Sequence, residues 1–87
     1  AERERALSLS RGLAAAEALF AAGERNGKAL VAAARSEVEK GADRVDYVEL
    51  VDARTLQPVQ HVAGPVCLLI AAFVGSTRLI DNRVLEG

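Results

Sequence analysis

Between Val66 and Asn82 the chain reads Val-Cys-Leu-Leu-Ile-Ala-Ala-Phe-Val-Gly-Ser-Thr-Arg-Leu-Ile-Asp-Asn, an unbroken apolar run, a Gly-Ser break, and a shorter run closed by Asp-Asn. A strand with one wet face alternates apolar and polar residues, and this run does not. Val66, Leu68, Ile70, Ala72 and Val74 fall on one face, and Cys67, Leu69, Ala71 and Phe73 on the other. A strand apolar on both faces expects cover on both. At 87 residues the chain has room for one small domain and few covering elements. The run therefore predicts a sheet with one face left bare, and a chain that is part of something larger.

The segments before it are helical in period. From Glu2 to Ala22, Ala6, Leu9, Leu13, Ala16 and Phe20 recur at spacings of three and four and form one stripe. Glu2, Arg3, Glu4, Arg5, Arg11 and Glu17 occupy mostly the other side, where interleaved signs predict a solvated face with local ion pairs. Gly12 weakens such a helix by about 1 kcal/mol relative to alanine, which marks a close helix–helix approach. Gly23 suits a left-handed C-terminal residue, and Asn26 suits the N-cap of a second helix from Gly27 to Lys40. Leu30, Ala34 and Val38 are its stripe, and Gly41 its stop. A short loop between two helices makes an antiparallel hairpin.

The period then changes. Arg44 to Asp52 is rich in β-branched and aromatic residues and reads as a strand. Strict alternation puts Val45, Tyr47, Glu49 and Val51 on one face and Asp46, Val48, Leu50 and Asp52 on the other. Ala53 to Pro65 reads as a loop. Val66 to Val74 and Thr77 to Asp81 read as further strands, joined at Gly75-Ser76, where a leading glycine suits a type II′ turn. The expected fold is α+β: a helical hairpin packed on a small three-stranded antiparallel sheet, with Val66–Val74 in the middle. Residues 1–87 form a single domain in this reading.

Chemistry-bearing residues are sparse. Net charge is −1, from 11 basic and 12 acidic side chains, so no single-sign field points to nucleic acid or an anionic membrane. The longest apolar run is too short for a transmembrane helix, and no signal-peptide pattern opens the chain. His61 is the only histidine and Cys67 the only cysteine. A metal site needs several converging ligands, so His61 reads as a loop residue. Cys67 reads as a buried small hydrophobe, and the lack of a disulfide partner fits a cytoplasmic location. Asp46 and Glu49, on opposite faces, cannot flank one bond as an acid–base pair must. Gly75-Ser76-Thr77 lacks the lysine and following helix of a phosphate loop. Ser8 and Ser10 have no base in reach by sequence. Arg78, Asp81 and Asn82 suit a charged edge strand and a polar strand end. No catalytic, cofactor-binding or metal-binding residue is assigned. The chain lacks methionine and opens within helix-like sequence, which reads as a truncated or processed product.

Thr77-Arg78-Leu79-Ile80-Asp81-Asn82, preceded by Leu68-Leu69-Ile70-Ala71-Ala72 and Gly75, resembles the C-terminal signature of the pantothenate synthetase (pantoate–β-alanine ligase) family. Val45-Asp46-Tyr47-Val48-Glu49-Leu50 resembles the strand that precedes it there, and Glu4 to Leu13 the helix that opens the family's second domain. Phe73 stands where many members carry arginine and some an aromatic residue. The resemblance implies the lid domain of an ATP-dependent enzyme that makes a pantoyl-adenylate and transfers the acyl group to β-alanine. It implies that ATP and Mg are bound mainly by a Rossmann-like N-terminal domain with a His-x-Gly-His motif, absent from this sequence. Accordingly, no cofactor and no activity are expected of the chain alone. The implied partner is that N-terminal domain, in a cytoplasmic homodimer. The residues by themselves also admit a free-standing module that dimerises through the bare face, of the kind that binds a small regulatory ligand, or a purely structural fragment.

Overall fold

A computed structural model describes residues 2–86. Helix α1 spans Glu2–Ala21 and α2 spans Gly27–Gly41, followed by strands β1 (Arg44–Asp52), β2 (Val66–Val74) and β3 (Thr77–Leu85). The sheet is antiparallel throughout, in the order β1-β2-β3. The α+β expectation holds, with the greasiest strand in the middle. The Glu2 side chain, expected on the polar side of α1, lies outside the described residues.

The helices form the antiparallel hairpin that the stripes predict. Leu9, Leu13, Ala16 and Phe20 of α1 and Leu30, Ala34 and Val38 of α2 are buried. A methyl group at Gly12 would sit 2.8 Å from both the Ala34 carbonyl oxygen and Val38 Cγ2, so the hairpin closes around a position that only glycine fills without a shift. Gly23 has φ +110°, and the Gly23 and Glu24 N–H groups donate to the Phe20 and Leu19 carbonyls at 3.0 and 3.1 Å. This is the paired C-terminal closure that a left-handed residue permits. Asn26 caps α2: its Oδ1 accepts from the N–H groups of Lys28 and Ala29.

The helices lie on one face of the sheet. Their stripes join Val48, Leu50, Val66, Leu68, Ile70, Ala72 and Leu85 in a single core. At the hairpin turn Gly75 has φ +62°, whereas Ser76 is not left-handed, as a type II′ turn requires.

Three expectations need correction. A bulge between Val45 and Tyr47 breaks the alternation of β1. Val45 therefore pairs with Ala72 and packs against the core, although strict alternation put it with Tyr47. Strand β3 does not stop at Asp81: Asn82 to Leu85 continue the ladder opposite Leu69 to Val66. Each residue of β2 thereby finds a partner on that side, and Leu85 is buried at the end. The polar side of α1 does not make local ion pairs among the described residues. Arg5 instead reaches Asp43 and the Gly41 carbonyl, and Glu17 meets Arg83 of β3 at 3.1 Å.

Candidate functional site: the open face of the sheet

Antiparallel register lays the second face out in rows. Arg44 and Arg78 flank Phe73, Tyr47 and Ile80 flank Ala71, Glu49 and Asn82 flank Leu69, and Val51 and Val84 flank Cys67. Among the described residues no helix joins this face to the core. Cys67, Leu69 and Phe73 are half-buried by their neighbours alone, and Ile80 and Val84 are 60% and 51% exposed. Ala71 is small enough to be fully covered between Tyr47 and Ile80, and Val51 is buried at the end where Pro58 bridges to it. The bare face predicted from β2 is present, apolar along its middle row and continuous with exposed aliphatic groups on β3.

One end of the face carries charge. The Arg44 guanidinium lies 4.3 Å from the centre of the Phe73 ring, a cation–π contact. Arg78 reaches across β2 to Asp46, with Nη2 and Nε donating to Oδ2 at 2.9 and 3.1 Å, and lies 6.0 Å from the Tyr47 ring centre. The bulge makes this pair possible by turning the Asp46 carboxylate toward the face that holds Tyr47 and Glu49. Asp46 and Glu49 are therefore not on opposite faces as expected. Of the two, Asp46 is engaged by Arg78. Both partners of that ion pair are more than 40% exposed, so its contribution is at most about 1 kcal/mol.

The remaining candidates fall apart in space. His61 is exposed in the loop, where its backbone bridges to Asn26. Cys67 is half-exposed on the open face, not buried as expected, because nothing lies over it. Asp81 accepts from the N–H of Asn82 at 2.8 Å, the local bond expected of it, but within a strand that continues past it. Asp43, passed over in the sequence, ties three elements together. Its Oδ2 accepts from the Gly75 N–H at 2.5 Å and its Oδ1 from Arg5. The Gly75 N–H first, and then Arg5, hold its carboxyl below the ordinary 3.8. Only its position before a strand start hinted at this, since its partners lie far along the chain.

Whether these residues could hold a nucleotide or a metal can be tested directly. Among the described residues no three His, Cys, Asp or Glu side chains come close enough to share a metal ion. The Gly75-Ser76 turn leads into a strand, so no helix N-terminus faces it as in a phosphate loop. An apolar groove of about 320 Å³ between α2 and β1 is floored by Val31, Ala32, Leu50 and Val59, with Lys28 and Arg35 as its charged lining residues. No reaction step is assigned to these residues. No helix is long and apolar enough to cross a membrane among the described residues.

Comparison with known proteins gives this face a context. The family model of pantoate-β-alanine ligase matches residues 1–84. A pantothenate synthetase of Myxococcus xanthus is 58% identical over 99% of this chain, and one of Acidobacterium capsulatum 53% identical over 97%. A crystal structure of pantothenate synthetase from Thermus thermophilus superposes with a TM-score of 0.84 at 26% identity, covering 93% of this chain and 29% of that one. The chain spans about 30% of the length of the curated relatives it matches. It belongs to the pantoate–β-alanine ligase family.

Proposed function

We propose that this chain is the C-terminal lid domain of an ATP-dependent ligase that condenses pantoate with β-alanine to pantothenate. In that reaction the pantoate carboxylate attacks ATP, pyrophosphate leaves, and a pantoyl-adenylate forms. The β-alanine amine then attacks the acyl carbon and AMP departs. ATP and Mg are held mainly by a nucleotide-binding domain outside this chain. The lid contributes no catalytic side chain; it closes over that domain, excludes water from a hydrolysable mixed anhydride and fixes the reacting groups. The complete enzyme is a cytoplasmic homodimer in this reading.

The observation that carries the proposal is the open face. Leu69, Phe73, Ile80 and Val84 lie uncovered in a chain with about 30% of its relatives' length. An apolar surface of this kind marks an interaction site, and the rest of the relatives' polypeptide is the natural cover.

The test is an assay of ATP-, pantoate- and β-alanine-dependent AMP release. The 87-residue chain alone should show none, and adding the missing domain in trans should restore it. Turnover by the chain alone, or no gain in trans, contradicts the proposal. Sedimentation over a range of concentrations addresses the rival module, for which a tight dimer of the chain is the signature.

A further inference from the structure

The turn after β1 breaks two local rules at one residue. Asp52 closes the strand and caps a single helical turn: its Oδ1 accepts from the N–H groups of Arg54 and Thr55 at 2.8 and 3.0 Å, and its carbonyl from the N–H of Leu56 at 2.8 Å. The Arg54 and Thr55 N–H bonds hold the Asp52 carboxyl below its ordinary value. Such a turn ends in a left-handed residue, where glycine or asparagine belongs. Here it is Leu56, with φ +64°, the only non-glycine residue with positive φ among those described. Its side chain is also the most exposed of the large hydrophobics, at 66%. Neither the backbone nor the packing of this domain gains from leucine at this position. Strain and exposure of this kind, held in place by a well-bonded turn, belong to sites that act on something else.

We propose that Leu56 is an anchor that inserts into an apolar pocket of the adjoining domain of the same polypeptide when the lid closes. The inference rests on the lid reading above. Magnitude selects the occupant. Burying one leucine shifts an equilibrium roughly ten- to hundredfold, too little to offset the loss of translational and rotational freedom when two separate molecules associate. A tethered domain has already lost most of that freedom. There the same tenfold is enough to bias open against closed. An isolated knob therefore fits a contact within one polypeptide better than a contact with a separate protein.

The experiment uses two variants, Leu56→Asn, which enters the left-handed region easily and is polar, and Leu56→Met, which keeps an apolar side chain. In the 87-residue chain Leu56→Asn should raise Tm by roughly 4 °C, because strain is relieved and no packing is lost. In the complete enzyme, energy transfer between a dye on each domain, without and with ATP and pantoate, reads closure. The closed-to-open ratio should fall roughly tenfold in Leu56→Asn and stay near wild type in Leu56→Met. An unchanged or lower Tm in Leu56→Asn overturns the proposal, as does unaltered closure in that variant while wild type closes. A wild-type enzyme that does not close on adding substrates removes the lid reading itself, and this inference with it.

Discussion

The two faces of β2 are almost equally apolar in sequence and opposite in fate. Val66, Leu68, Ile70, Ala72 and Val74 lie under the helical hairpin and are at most 2% exposed. Cys67, Leu69 and Phe73 face outward with only sheet neighbours beside them. The covered face explains why the domain folds. On the open face Ala71 and Val51 are buried, but no helix covers the rest among the described residues, and its apolar character is what the proposed contact with an adjoining domain would use. Hydrophobicity alone does not tell a core from an interface; what lies over it does.

The sharpest way to break the comparison is to truncate adjacent residues of β2. Leu68 is fully buried, and Leu68→Ala should cost about 2–5 kcal/mol in urea denaturation of the chain. Leu69→Ala, one residue along, should cost less than about 1 kcal/mol, because its surroundings are already partly wet. Equal losses would mean that the open face is part of the folding core. Next in size is the seam that covers the first face. Gly12→Ala forces a methyl group against the Ala34 carbonyl and Val38, and should cost about 1–3 kcal/mol. A neutral result would show that the hairpin can slide apart, and that the cover is looser than described.

The smallest effect concerns the hairpin that presents both faces. The Asp43 carboxyl is lowered by the Gly75 N–H and by Arg5, so the folded state binds this proton less readily than the unfolded chain. Its contribution to stability is present above the ordinary carboxylate pKa, about 4, and is lost as pH falls through the lowered folded value. Urea midpoints measured from about pH 7 down to about pH 2 should therefore fall less steeply in Asp43→Asn than in wild type. Parallel curves would show that the tie is not formed in solution. Asp52 titrates in the same direction and persists in both proteins, so it does not obscure the difference.

The helices, their caps and the central place of β2 were legible because each follows from local rules. Period three-and-four stripes, Asn26 before a helix, Gly23 after one, and a two-faced apolar run need no knowledge of distant contacts. The side taken by Val45, the length of β3 and the ties of Arg5 were not legible, because pairing decides them. A bulge is set by how β1 meets β2. Asn82 to Leu85 are held in a strand by the partners waiting on β2, against the turn preference of Asp-Asn. Arg5 finds Asp43 only once the hairpin has folded back. The site was half legible: the bare face could be read from β2, and its family signature from Thr77 to Asn82. The cation–aromatic cluster at its end depends on the bulge and could not be read. Leu56 also escaped notice, since nothing in Thr-Leu-Gln announces a left-handed leucine.

Cys67, the single cysteine of the chain, lies on the central strand at one end of the open face, between Val51 and Val84, and reports on its cover there. Its alkylation rate is best followed by mass spectrometry of the peptide that contains it, in the 87-residue chain and in the complete enzyme. A face roofed by the adjoining domain predicts labelling at least roughly tenfold slower in the complete enzyme, on the bias that burial of one side chain supplies. Equal rates in the two proteins would leave the face bare in both and contradict its role as the contact surface.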